Sequence, residues 1–279
     1  MNDAAPGGSN ELLAPGTVVL VTGAARGIGL ATARRAAASG ATLVVCDRHG
    51  DELDAETDKL RAAGATVHPA TLDVRDGDAV TAFMARAHEQ VGPVGVLVNN
   101  AGGSFSAPFL DVSDKGEAML VAENFTQVTR LIRLAAPTMV PGSSIVNVTS
   151  SEAFQAAPGF AVYAAMKAAL ESLTRSLALE LAPAGIRVNA IAPDGLTSRG
   201  EEDARDQLLA SDLPYSPAHV PPLGHFGTPD DGASAVLFLA SPLARFITGT
   251  TVHVDGGINA AGGWRLETAA GARPVPTAR

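Results

Sequence analysis

Tyr163 and Lys167 stand four residues apart in Ala161-Val162-Tyr163-Ala164-Ala165-Met166-Lys167. On a helix that spacing puts both side chains on one face, one turn above the other. A phenol ordinarily titrates near about 10. A neighbouring ammonium favours the phenolate and brings the hydroxyl towards useful proton exchange, so the pair is a candidate general acid/base. Upstream, the apolar run Ser144-Ile145-Val146-Asn147-Val148-Thr149 reads as a strand that ends on Ser150 and Ser151, either of which could donate a hydrogen bond. The two runs place a serine at a strand end and a tyrosine at a helix start. Tyr-x-x-x-Lys alone is a weak signal, because two such residues at helical spacing often share a solvated face.

Other stretches strengthen it. Thr17 to Thr22 is a continuous β-branched, apolar run, the pattern of a strand buried on both faces. Gly23, Arg26, Gly27, Ile28 and Gly29 follow at once and lead into a helix expected over Gly27 to Ser39. Glycines in that position let backbone approach a ligand closely, and the helix's first amides can hold a pyrophosphate. A second buried strand, Ala41 to Cys46, ends at Asp47, where a carboxylate can accept ribose hydroxyls and repel a 2′-phosphate. Asp47 therefore favours NAD over NADP. Arg26 and Arg48 weigh the other way, since either could pair with a phosphate. A strand over Val94 to Val98 ends in Asn99-Asn100-Ala101-Gly102, small residues that let a cofactor lie across the strand ends.

The chain of 279 residues is 46% hydrophobic, enough for one sizeable core and one domain. With 29 acidic against 20 basic residues it carries a formal charge of −9, which offers nucleic acid or anionic lipid no broad basic surface. Its one cysteine, Cys46, sits in an apolar run and is expected to be a buried thiol in a reducing cytoplasm. No run approaches the roughly 18 apolar residues of a membrane span, and Met1 to Asn10 lacks the pattern of a signal peptide. The histidines show no ligand spacing, so no metal site is expected. The expected organisation is a flexible arm over 1–15, a catalytic domain over 16–260 with a substrate lid at about 195–227, and a tail over 261–279 that holds Trp264.

Taken in order, the glycine turn, Asn99-Asn100-Ala101-Gly102, Ser150, Tyr163 and Lys167 resemble the short-chain dehydrogenase/reductase family, from about Val18 to Gly257. The resemblance implies an α/β fold, a single-domain doubly wound parallel sheet (Rossmann fold) of about seven strands flanked by helices. It implies a nicotinamide cofactor and a commonly dimeric or tetrameric assembly. Family spacing selects Ser150 over Ser151 and adds Asn124 as a fourth catalytic residue, relaying protons between Lys167 and solvent. It also implies that Asp73 and Val74 flank the adenine, though an acid there could equally cap the next helix. Asn99 is expected to steady the central strands. Where the family has Pro-Gly this chain has Pro193-Asp194-Gly195. Either the turn shifts by one residue or Asp194 takes a glycine-like conformation, which leaves open the cofactor contacts of Pro193 and Gly195 and the part of Thr197 or Ser198.

The expected activity is hydride transfer between NAD, less readily NADP, and a secondary alcohol or ketone of a small, largely apolar substrate, in a cytoplasmic homotetramer or homodimer. Mixed apolar residues in the lid, Leu213, Tyr215, His219, Leu223, His225 and Phe226, suit such a substrate. Two alternatives stand beside it. A 3-oxoacyl (carrier-protein or CoA) reductase would want basic docking residues that Met139 to Ser144 lack, and a non-catalytic NAD(P)-binding protein would carry a broken catalytic set.

Overall fold

The structure, a computed structural model, describes residues 12–197 and 220–262. Seven parallel strands form one sheet in the order β3-β2-β1-β4-β5-β6-β7. They are β1 (Val18–Thr22), β2 (Thr42–Asp47), β3 (Val67–Thr71), β4 (Val96–Asn99), β5 (Ser144–Val148), β6 (Arg187–Pro193) and β7 (Thr251–Val254). Helices α1 (Gly27–Ala38), α2 (Gly50–Ala62), α3 (Gly77–Val91), α4 (Asp114–Val121), α5 (Gln127–Ala135), α6 (Ala161–Glu180) and α7 (Pro229–Ala240) cover it, and a short α8 (Ile258–Ala261) follows β7. The chain runs outward from β1 through β2 to β3, then returns to the centre at β4 and runs out the other way. The ends of β1 and β4 therefore flank the point where strand order reverses, the usual place for a ligand in an open parallel sheet.

Alternation along β1 shows why the buried runs read as continuous. Val19 and Val21 face a core built with α1, α2 and α7, through Ala33, Ala36, Leu53, Val236 and Leu237. Leu20 faces the other core with Phe83, Met84, Leu131, Ile132 and Leu170 from α3, α5 and α6. Both faces being covered, an apolar residue is needed at every position. Pro69 lies inside β3, tolerable because β3 is an edge strand whose outer amides have no ladder to serve.

The helical stretch between Ser113 and Met139 is not one helix. It begins at Asp114, capped by Ser113, whose hydroxyl accepts from the Gly116 amide at 3.2 Å. A π-helical turn, Ala122–Thr126, then joins α4 to α5, and Ala136–Thr138 closes in a 3₁₀ turn. Nor does Asp73 cap α3. Asp76 does, its Oδ1 accepting from the amides of Asp78 and Ala79 at 3.0 Å. Asp73 is held by Arg75 in an ion pair 2.5 Å long. Ser198, Trp264 and most of the expected lid, including Leu213, Tyr215 and His219, lie outside the described residues. Among the described residues no helix is long and apolar enough to cross a membrane.

Asn99 ties the central strands together as the resemblance implied. Its Nδ2 donates to Asn147 Oδ1 at 2.8 Å, and Asn147 Nδ2 donates to Thr174 Oγ1 on α6 at 2.9 Å. All three side chains are buried, so a partner lost along this chain leaves a desolvated polar group. Thr174→Val keeps the shape and removes the acceptor; it should lower stability by about 1–3 kcal/mol in urea unfolding, and an unchanged midpoint would refute the link's structural weight.

Candidate active site

The turn after β1 is built by glycine. Gly23 and Gly27 hold φ of +67° and +58°, the left-handed region that side chains disfavour. At Gly29 the limit is space: a Cβ there would sit 2.1 Å from the Gly23 carbonyl oxygen and 2.5 Å from Asn100 Nδ2. Asn100 Nδ2 donates to the carbonyls of Thr22 and Gly23, each at 2.9 Å, and Thr22 Oγ1 accepts from the amides of Asn100 and Ala101. The ends of β1 and β4 are thus bonded to each other. Among the described residues no side chain caps the first turn of α1 and no acid lies in it, so its amides remain available to an anion. A Cβ at Gly27 would meet nothing within 4 Å, so that stretch of backbone opens onto free space. Ile28 turns its side chain away, against Gly232 of α7, and only its backbone faces the turn.

At the end of β2, Asp47 is 7% exposed; its Oδ2 accepts from the Ala25 amide and its Oδ1 from the His49 amide, each at 3.0 Å. Arg26 donates to His49 at 3.0 Å, and Arg48 to Glu123 at 3.3 Å. Asp73 lies close enough to Arg48 for its charge to be felt there, and the Val74 side chain enters the core beside Cys46. These residues suit a dinucleotide: bare amides at a helix start, a buried carboxylate at the next strand end, and small residues at Ala101 and Gly102 between them.

The second half of the site lies beyond β5. Ser150 is buried, and its hydroxyl donates to the Glu152 carboxylate; Ser151, fully buried, donates to Asp194. On α6 the Lys167 Nζ donates to the Val148 carbonyl at 3.0 Å and lies 5.4 Å from the centre of the half-buried Tyr163 ring. Burial pushes the ammonium's pKa down to about 8, although the charges of Glu152 and Glu123 pull the other way. Its proton is therefore exchangeable near neutrality.

Asn124 reaches the same place from the π turn. Its Nδ2 donates to the carbonyls of Gly103 at 2.8 Å and Leu120 at 3.0 Å. The Leu120 carbonyl is the one a regular helix would offer to Asn124's own amide, so the side chain takes the ladder's bond and the turn widens. A Cβ at Gly102 would lie 3.0 Å from Asn124 Oδ1 and 3.3 Å from Lys167 Nζ, so both polar groups converge on one glycine. Ser150, Tyr163, Lys167, Asn124 and the Asn100-Ala101-Gly102 turn are brought to one edge of the sheet. Sequence reasoning missed Gln127, which is fully buried and donates to the Ala101 carbonyl at 2.9 Å. Its signal was its spacing: three residues past Asn124, it lies on the same helical face.

At Pro193-Asp194-Gly195 the left-handed residue is Gly195, with φ +59°, while Asp194 Oδ1 accepts from the Gly195 amide at 2.7 Å. The glycine at 195 takes the left-handed conformation in this turn, and the Asp194 side chain turns inward to Ser151. Burial, then the charge of Glu152, pushes the Asp194 carboxyl up to about 6. Among the described residues no group of His, Cys, Asp and Glu is arranged to hold a metal ion.

A glycine turn at a strand-order reversal, an acid closing the next strand and open amides at a helix start define a Rossmann-type dinucleotide-binding protein. A family model described as enoyl-(acyl carrier protein) reductase matches residues 23–259. The galactitol 2-dehydrogenase (L-tagatose-forming) of Cereibacter sphaeroides is 39% identical over 246 residues, 87% of this chain and 94% of its own length. The 3-oxoacyl-(acyl-carrier-protein) reductase of Thermotoga maritima is 34% identical over 249 residues, 87% and 98% of the two chains. A dehydrogenase/reductase of Sinorhizobium meliloti superposes with a TM-score of 0.80 at 30% identity, covering 89% of this chain and 97% of that one. The chain belongs to the short-chain dehydrogenase/reductase family, oxidoreductases that work with a nicotinamide dinucleotide.

The acid at position 194 yields a pH test. Below about 4 the carboxyl is protonated folded or unfolded, whereas between its ordinary 3.8 and about 6 only the unfolded chain ionises, so stability falls across that window and stays reduced above it. Asp194→Asn, which cannot ionise, should gain in melting temperature relative to the parent as pH rises from 4 to 7. A difference that does not change with pH would mean that the carboxyl keeps its ordinary titration.

Proposed function

We propose that this protein is an NAD-preferring secondary-alcohol dehydrogenase or ketone reductase whose reacting groups are Ser150, Tyr163 and Lys167, served by Asn124. The observation that carries the reading is the buried Lys167 ammonium, lowered to about 8, beside the Tyr163 ring and sharing the Gly102 turn with Asn124. A cation so placed favours the phenolate, so Tyr163 can take the proton of an alcohol or return one to a carbonyl oxygen. Ser150, once its hydroxyl turns from the Glu152 carboxylate, donates to that oxygen. Lys167 also holds the nicotinamide ribose, and the Asn124 turn links the ammonium to solvent. The nicotinamide, when bound, supplies the hydride acceptor or donor.

The glycine turn with Arg26, Ile28 and Gly29, the acid Asp47, the pair Asp73 and Val74, the stretch Asn100 to Gly102, and Pro193 with Gly195 form the cofactor's side of the site. NAD is favoured because Asp47 is buried at the strand end while Arg26, Arg48 and Arg75 each engage a protein partner. A small, largely apolar substrate suits the apolar surroundings of Gly195, where an added Cβ would come within 4 Å of Pro221, Ile258 and Phe226. We place the catalytic domain at residues 16–260. A homotetramer or homodimer in a reducing cytoplasm suits the exposed Leu179 and Phe246 and the single buried Cys46. The likeness to the Thermotoga maritima reductase favours a second reading, a 3-oxoacyl thioester substrate.

Titration with NADH and NADPH, followed by nicotinamide fluorescence with a panel of ketones and one 3-oxoacyl thioester, separates these readings. Tighter NADH binding with ketone turnover is the expected result; preference for the thioester would select the second reading. Tyr163→Phe should lower kcat by more than about a hundredfold and move the NADH Kd by less than about twofold. Substantial residual turnover would remove Tyr163 from its role.

A further inference from the structure

The end of β2 holds two opposed signals, an acid suited to a ribose and an adjoining arginine suited to a phosphate. The side chain of Arg48 is half exposed, yet its Nη1 reaches across to Glu123 Oε1 at 3.3 Å. Glu123 is buried in the π turn, and its carboxylate lies against Gly103, where a Cβ would come within 2.9 Å of Oε1. Arg75, the other arginine whose charge acts on this carboxylate, is occupied by Asp73, with which its guanidinium forms several hydrogen bonds. Arg48 is thus the arginine in contact with Glu123.

We propose that Glu123 is a specificity-determining residue for the dinucleotide, acting through Arg48. It draws the guanidinium from the end of β2 to the π turn and so withdraws it from the position a 2′-phosphate would occupy beside Asp47. For Arg48 to pair with that phosphate it must leave Glu123, and a buried carboxylate is then stranded without its cation. The pair thereby withholds from NADP the cation that would offset the charge of Asp47, while NAD makes no demand on Arg48. The inference rests on the reading that NAD is the preferred dinucleotide.

The test is the Kd of NADH and of NADPH, by nicotinamide fluorescence, for the full-length chain, Glu123→Gln, Arg48→Ala and the double variant. Glu123→Gln should tighten NADPH binding by about three- to tenfold, as a freed guanidinium engages phosphate, and leave NADH within about twofold. Arg48→Ala alone should move the NADPH Kd by less than about twofold, and in the double variant the gain from Glu123→Gln should vanish. A NADPH-to-NADH ratio unchanged by Glu123→Gln overturns the proposal. So does a gain that survives the loss of Arg48, since Glu123 would then act by its own charge. Should Glu123→Gln not fold, Glu123→Asp keeps the charge, shortens the reach and should give a smaller gain; none would count against the proposal. A parent chain that prefers NADPH defeats the NAD reading alone, because the effect of Glu123 on the ratio is measured against whatever preference the parent has.

Discussion

An ammonium held out of water is the constraint around which this sheet edge is organised. Lys167 is 4% exposed, and a buried cation needs oxygen partners in fixed places. The Val148 carbonyl, at the last residue of β5, supplies one. Reaching it requires α6 to lie directly over the end of β5. The chain of amides from Asn99 through Asn147 to Thr174 fixes that placement from below. Gly102 completes the enclosure, since any side chain there would press on the ammonium and on Asn124 at once.

The same economy of space governs the other side of the strand-order reversal. Gly29 lets α1 descend onto the Gly23 carbonyl, and the approach is sealed by Asn100, whose side-chain amide bonds two carbonyls of the β1 turn. The halves of the site are therefore one rigid piece, joined across the ends of β1 and β4 by Thr22 and Asn100. Gln127 extends the joint to α5 by holding the Ala101 carbonyl. A ligand lying across this edge meets backbone fixed before it arrives, the condition under which positioned groups act without costly rearrangement.

What was legible in the amino-acid sequence follows from how local each cause is. The run Val18 to Thr22 followed by Gly23 announces a buried strand and a tight turn, because burial on both faces and left-handed φ act on those residues alone. Tyr163 and Lys167 were visible for the same reason, since helical spacing by itself sets them on one face. The break between α4 and α5 was hidden. Residues 114–138 have helical composition throughout, and only the competition of the Asn124 side chain for the Leu120 carbonyl reveals that the ladder opens there. Asp76, not Asp73, capping α3 is a choice between two acids that composition cannot make. The contact of Ser151 with Asp194 links residues 43 apart in the chain and exists only once β5 and β6 are paired.

Charge is arranged around Lys167 so that burial wins. Glu152 and Glu123 both raise the pKa of the ammonium, yet its value falls to about 8, so their combined pull is weaker than the cost of desolvation. At contact distance a carboxylate would be strong enough to reverse that order, because Coulomb energies of about 4 kcal/mol at 4 Å act even at an effective dielectric of 20. Each acid is instead engaged elsewhere: Glu152 takes the Ser150 hydroxyl and Glu123 takes Arg48. These two contacts hold negative charge near the ammonium without closing an ion pair on it. The fields of the acids moderate the fall in its pKa, while its hydrogen bond to Val148 leaves it oriented towards the Gly102 turn. A chain with a net charge of −9 could easily have trapped its one buried lysine in a salt bridge. The contacts of Glu152 with Ser150 and of Glu123 with Arg48 engage both carboxylates away from the ammonium.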